Sequence, residues 1–224
     1  MKKQVPEHPV IKNRDGFTPL VVITALLVTS YLTANIMAVK IIGTIGVAVV
    51  DAGTITFPLA YILGDVLTEI WGFRTARKVI LLTFVCNIIL VVATSVGVVI
   101  PSPDYLSETA GAYDALFSHV PRIVAASLIA FLTGELTNAW LMVKIRVLTS
   151  GRFLWMRTIG SSVAGYVFDT GIFCLIAFVG TITARDMFIM LISQYAIKII
   201  VEAVIGTPIA YIVIHFLRKR VEFS

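Results

Sequence analysis

Charge is scarce in this chain: only 14% of its 224 residues are Asp, Glu, Lys or Arg, against 58% hydrophobic. A soluble domain of that length cannot bury so much apolar surface. There are two cysteines and three histidines, too few for a disulfide framework, and none are clustered at metal-ligand spacing. Cys86 and Cys174 fall inside apolar runs, where a thiol behaves as a small hydrophobe. His8, His119 and His215 lie at predicted loops or ends, and there is neither a Walker loop nor a His-Glu-x-x-His pair. The reading is accordingly no enzyme, no metal and no cofactor. The net charge of +5 would suit a nucleic acid only if the bases formed one patch. They are dispersed in short groups, so no nucleic-acid partner is expected.

What the chain has instead is length without charge. The runs 20–39, 79–100, 123–143, 159–182 and 187–217 are each close to or above the roughly 20 residues that cross about 30 Å of hydrocarbon. A sixth, 55–71, is short and carries two acids. The opening segment MKKQVPEHPVIKNRDG is too long and too broken by Pro6, Pro9 and Gly16 to be a signal-peptide lead, and no small-residue cleavage site follows, so 20–39 reads as a retained helix. Lys2, Lys3, Lys12 and Arg14 precede the first span. Arg74, Arg77 and Lys78 lie between the second and third, Lys144, Arg146, Arg152 and Arg157 between the fourth and fifth, and Arg218, Lys219 and Arg220 follow the sixth. Under the positive-inside rule this distribution places both termini in the cytoplasm. The expected fold is an all-α integral membrane protein of six transmembrane helices: a basic segment 1–19, a membrane domain 20–217 and a basic tail 218–224.

The connectors are uneven in information. Residues 101–121 read as an outer loop carrying a short amphipathic helix around Tyr113 to His119. Residues 42–57 are apolar but contain Gly43, Gly46 and Gly53 and run into Pro58, which suggests a Gly-rich outer hairpin or re-entrant segment between helices 1 and 2. Non-helical backbone at membrane depth survives only against protein or a wet cavity, so this segment is expected to close over something. Gly64-Asp65-Val66-Leu67-Thr68-Glu69 and Gly134-Glu135-Leu136-Thr137-Asn138 are weakly similar, as a three-plus-three duplication would leave.

Inside the spans sit five acids, Asp65, Glu69, Glu135, Asp169 and Glu202, against one internal base, Lys198. Each charge at mid-bilayer costs about 2.5–3.5 kcal/mol on the insertion scale, so the acids must face the bundle interior. Spacing agrees. Tyr61, Asp65 and Glu69 share one helical face, as do Phe131, Glu135, Asn138 and Met142; Ser162, Tyr166, Asp169 and Phe173; and Gln194, Lys198 and Glu202. Structural alternatives stay open for several of these residues. Lys198 and Glu202 are placed to neutralise each other at i, i+4, and Asp65 and Glu69 to pair with Arg74 or Arg77. Asn35 suits helix packing or a site, Trp71 and Trp155 suit interface anchoring, and Pro208 suits a kink. The imbalance of charge is not absorbed by these pairings. The unmatched acids are protonated, solvated by a cavity, or completed by something brought in.

Several segments together resemble a known family. AGTITFPLAYILGDVLTEIWGF and the NIMAVKII before it, GELTNAWLMVKIR, GSSVAGYVFDTGIF and QYAIKIIVEAVIGTPIAYIVI are similar to the queuosine precursor transporters, a bacterial family grouped with the vitamin uptake transporters. The resemblance implies a bacterial inner-membrane importer of 7-deazaguanines: the nitrile-bearing base, its aminomethyl relative or queuine. It also implies a six-helix fold akin to the substrate-binding subunits of energy-coupling-factor transporters. The chemistry fits, because N1–H and the exocyclic amine are adjacent donors that one carboxylate accepts bidentately. The carbonyl and ring nitrogen ask for Asn, Gln or Lys, and the flat face for aromatic stacking worth about 1–3 kcal/mol. On this reading Glu135 and Asn138 read the purine-like edge and Asp169, Asp65 or Glu69 accept further donors. Phe57, Tyr61, Tyr166 or Phe173 stack, with Gln194 beside them. Lys198 and Glu202 set the charge or break and re-form during alternating access, and Asn35 and Lys40 join the Gly43–Gly53 lid. The partners expected are the cargo, the bilayer, a coupling proton and a second copy for a homodimer. Two rivals remain: a subunit needing an ATPase partner, and a membrane scaffold in which the internal charges only fix register.

Overall fold

The computed structural model describes residues 17–38, 40–43, 49–117, 121–180 and 183–222, and the architecture is that of helices laid along one another. They are α1 (Phe17–Ala38), α2 (Phe57–Val99), α3 (Ser107–Phe117), α4 (Pro121–Leu148), α5 (Leu154–Phe178), α6 (Ala184–Val201) and α7 (Thr207–Glu222). Among the described residues five stretches are long and apolar enough to cross a membrane, α6 and α7 counting as one because a π turn at Glu202–Gly206 joins them. Large apolar side chains such as Val21, Leu26, Val92, Val96 and Ile212 stand exposed along their outer faces, as lipid contact requires. The protein is therefore a multi-pass membrane protein.

The expected second and third spans are one element, 43 residues long, interrupted at Gly72, whose φ of 76° and ψ of 168° only glycine adopts without strain. Every residue from Ala60 to Gly72 is buried. A helix enclosed by protein on all sides has no lipid to satisfy, which explains why this segment tolerates Asp65 and Glu69 and why its hydropathy is weak. Trp71 is buried here at 7% exposure, packed in the core and not anchored at an interface; Trp155, at 51%, is exposed as an anchor would be.

Between α1 and α2 two three-residue strands, β1 (Ile41–Gly43) and β2 (Val49–Asp51), pair antiparallel with Ile42 opposite Val50. A 3₁₀ turn, Ala52–Ile55, follows, and the amide of Ala52 donates back to the carbonyl of Lys40. Gly46 lies outside the described residues. The amphipathic helix expected near Tyr113 is α3, longer on its N-terminal side. Tyr113 donates to the carbonyl of Thr94, and the absent side chain of Gly97 is what lets the tyrosine seat on α2. His119 is outside the described residues.

Small residues set the closest helix crossing. A Cβ on Gly134 of α4 would lie 2.7 Å from the Cβ of Asp169, 2.8 Å from the Tyr61 hydroxyl and 3.1 Å from the Gly165 carbonyl. A Cβ on Gly165 of α5 would likewise crowd the Cβ of Asn138 at 3.0 Å. Gly160 of α5 faces Ile145 of α4. The α6–α7 junction bears out the irregularity expected at Pro208, but as a π turn: Pro208 offers no N–H to the carbonyl of Val204, and the amide of Thr207 reaches back to Glu202.

Candidate functional site

Three polar layers lie one beneath another along the inner face of the bundle. The first lines a cleft of about 400 Å³, its open mouth included, bounded by Ala34, Asn35 and Ala38 of α1, Gly53 and Thr54 of the 3₁₀ turn, and Phe57 at the start of α2. Ser127, Asp169, Phe173, Gln194 and Lys198 complete the lining from α4, α5 and α6. Lys198 Nζ donates to Asp169 Oδ2 at 2.5 Å and to the Thr170 hydroxyl at 3.2 Å, and sits 4.6 Å from the centre of the Phe57 ring. Ser127 Oγ donates to Asn35 Oδ1, and the Tyr31 hydroxyl donates to the Ser127 carbonyl at 3.0 Å. The amide nitrogens of Asn35 and Gln194 are buried and have no hydrogen-bond partner among the described residues. Buried donors without acceptors are costly, and both belong to residues that line the cleft.

An aromatic floor separates this cleft from the second layer. Tyr31 stacks on Phe131 with ring centres 3.6 Å apart, Phe57 leans on Tyr61 at 5.3 Å, and Tyr61 on Tyr166 at 4.5 Å. Around and below these rings are Asp65, Glu135, Asn138, Ser162 and Glu202, each at most 1% exposed. Asn138 Nδ2 donates to Asp65 Oδ1 at 2.8 Å, and the Tyr166 hydroxyl donates to Glu202 Oε2 at 3.2 Å. Among the described residues neither oxygen of Glu135 has a hydrogen-bond partner, nor do Asp65 Oδ2, Asn138 Oδ1, Glu202 Oε1 or the Tyr61 and Ser162 hydroxyls. Gly64 makes room for Glu135, whose Oε2 stands 2.6 Å from where a Cβ would be. Asp65, Asp169 and Glu202 are near enough for their charges to act on Glu135.

The third layer is an ion-pair clamp. Arg157 donates from Nε and Nη2 to the two oxygens of Glu69 at 2.9 and 2.7 Å, and Arg146 Nη1 donates to the Glu69 backbone carbonyl at 3.2 Å. From its other nitrogen Arg157 holds the carbonyls of Gly151 and Arg152, fixing a turn in which Ser150, Gly151 and Phe153 all have positive φ. Arg157, counted in the sequence among loop charges, is in fact 3% exposed and part of α5.

Several expectations change as a result. Lys198 pairs with Asp169 and not with Glu202, which takes the Tyr166 hydroxyl instead. Glu69 pairs with Arg157 and Arg146 and not with Arg74 or Arg77, which are exposed, and Asp65 is held by Asn138. Lys198 is joined by a second buried base, leaving three buried acids, Asp65, Glu135 and Glu202, without a cation among the described ion pairs. Asn35, Phe57, Asp169, Phe173, Gln194 and Lys198 line the cleft. Glu135, Asn138, Asp65, Tyr61, Tyr166 and Glu202 do not; they lie in the layer beneath. Tyr31 and Ser127 were missed, although each continues a stripe already read, four residues before Asn35 and Phe131. Asn87 was also missed; it is fully buried with both amide atoms unpartnered, and its apolar neighbours in sequence give no signal of this.

A cleft lined by an ion pair, two amides and two aromatic rings, over a buried layer of acids, suits recognition of a small polar solute. The chain belongs to a transporter family: residues 51–213 match the model described as "Putative vitamin uptake transporter". A relative from Bacillus subtilis (strain 168), named "Probable queuosine precursor transporter", is 32% identical over 181 residues, covering 80% of this chain and 77% of that protein. No solved structure matches.

Proposed function

We propose that this protein carries 7-deazaguanine precursors of queuosine across the bacterial inner membrane by alternating access. The name of the Bacillus relative supports the solute class, and the observation that carries the reading is the make-up of the cleft. It presents one carboxylate, Asp169, two amide nitrogens without a partner among the described residues, from Asn35 and Gln194, an ammonium, Lys198, and the side chains of Phe57 and Phe173. A deazaguanine offers the complement: two adjacent donors for Asp169, a carbonyl and ring nitrogen for the amides and Lys198, and a flat face for the rings. The residue that reads the donor edge is then Asp169, since it lines the cleft where Glu135 does not. Glu135, Asn138 and Asp65 form the floor over which the cargo leaves, with Tyr61 and Tyr166 as the rings that part. Glu69 is the hinge clamp at the far end.

Six membrane passes with both termini cytoplasmic accord with this role, Gly72 dividing α2 into two passes ahead of Arg74, Arg77 and Lys78. Lys40 and the β1–β2 pair lie on the outer side, next to the cleft mouth at Gly53 and Thr54. Purified protein in sealed vesicles should exchange radiolabelled 7-cyano-7-deazaguanine across the membrane without any ATPase. No exchange by correctly inserted protein would refute the reading.

A further inference from the structure

The layer beneath the cleft contains more acid than its surroundings neutralise. Asp65 from α2, Glu135 from α4 and Glu202 from the π turn are sealed from solvent. Five of the oxygens there, Asp65 Oδ2, both of Glu135, Glu202 Oε1 and Asn138 Oδ1, accept nothing among the described residues. The charged and titratable groups around Glu135 are Tyr31 of α1, Tyr61 and Asp65 of α2, Tyr166 and Asp169 of α5, and Glu202 of the π turn; the buried bases Lys198 of α6 and Arg157 of α5 are already held by Asp169 and Glu69. Glu135 packs on Gly64, its Oε2 2.6 Å from where a Cβ would stand, and it does not line the cleft. The ligand that fits an enclosed carboxyl without a cavity is a hydrogen ion.

One cation is within a helical turn of this layer. Lys198 and Glu202 are four residues apart on continuous helix, and Tyr166, which binds Glu202, lies 5.9 Å from Lys198 Nζ. Lys198 therefore has two stations, Asp169 in the cleft, where it sits here, and Glu202 below. We infer that Lys198 and a hydrogen ion are alternative neutralisers of the Asp65–Glu135–Glu202 layer, and that this makes the protein a hydrogen-ion symporter.

The inference rests on the transport reading above and adds its coupling. When cargo presents its carbonyl to Lys198, the ammonium stays in the cleft and the layer takes one hydrogen ion from the outer solution as a carboxylic O–H. When cargo leaves inward, Lys198 drops to Glu202 and that hydrogen ion departs to the cytoplasmic side. Cargo and hydrogen ion thus favour each other's binding, and the coupling is reciprocal.

The test uses full-length protein in sealed vesicles with the membrane potential clamped to zero, and 7-cyano-7-deazaguanine, a neutral base, as probe. With the outside acidic, accumulation should approach about tenfold per pH unit of gradient, the limit for one hydrogen ion per cargo. Glu135→Gln, checked for insertion and monodispersity, should lose accumulation driven by the gradient. Should that variant fail to fold, the dependence on the pH gradient in the unaltered protein still decides. Probe exchange that ignores the gradient would overturn the coupling while leaving the transport reading intact. Absence of exchange altogether would overturn both, and undiminished accumulation by Glu135→Gln would overturn this site.

Discussion

Asp169 and Lys198 are the one ion pair that faces the cleft, and a double-mutant cycle on them separates holding the fold from holding the cargo. The pair is nearly sealed, with side-chain exposures of 8% and 4%, and its contact is 2.5 Å. Asp169→Asn leaves the ammonium with the Thr170 hydroxyl and the Phe57 face; Lys198→Met leaves the carboxylate with no cation. Removing one partner of a buried pair typically costs about 3–5 kcal/mol, because the other charge stays buried and uncompensated. Replacing both with neutral groups of similar volume is often close to neutral. The double variant should therefore lie within about 1 kcal/mol of the parent, giving a coupling energy of about 5 kcal/mol or more.

Unfolding of purified protein in mixed micelles, followed by circular dichroism, measures all four corners. The double variant should fold yet bind a deazaguanine about 10- to 150-fold more weakly, the equivalent of one charged hydrogen bond at about 1.5–3 kcal/mol. Additive single-mutant costs would refute the buried pair, and normal cargo affinity in the folded double variant would refute the cleft as the binding site.

The remaining predictions use the same preparations. Glu69→Gln should destabilise the protein by about 3–5 kcal/mol, because it strips Arg157 of a bidentate partner; a change below about 1 kcal/mol in the same unfolding assay would show the clamp to be idle. Gly134→Ala drives a methyl into Asp169, Tyr61 and the Gly165 backbone and should cost about 1–3 kcal/mol. Gly64→Ala meets only the end of the Glu135 side chain, so its melting temperature should change less than that of Gly134→Ala while transport suffers more; the reverse ranking would contradict the packing described. Gly72→Ala must hold a positive φ and should cost about 1–3 kcal/mol, read by thermal unfolding, with an unshifted melt counting against the interruption in α2.

The hydrophobic runs located the long apolar helices, because a bilayer imposes a length that sequence records directly, but they divided α2 into two separate elements. They also gave the inward faces, since an acid in lipid has nowhere else to point. Partner choice was not legible. Spacing along one helix favours Lys198 with Glu202, but Asp169 approaches from α5, 29 residues away in sequence, and Glu202 opens a π turn in which its carboxylate folds back towards Gly206. Arg157 was misread for a related reason: counting bases by side of the membrane says which end a residue lies at, not whether it turns inward. The division of acids between cleft and floor depends on where Gly134 and Gly165 let α4 and α5 cross, a distance that no single helix encodes.

The segment from Ala60 to Gly72 touches protein on every flank. It cannot partition into the bilayer on its own merits, since its two acids would meet hydrocarbon, so during synthesis it must wait for later helices to arrive before it has a place to lie. Chains truncated ahead of α5 would lack Arg157, and in them this stretch is left with a charge it cannot settle. The stretch that carries Asp65 and Glu69 thus depends on helices that follow it in the chain.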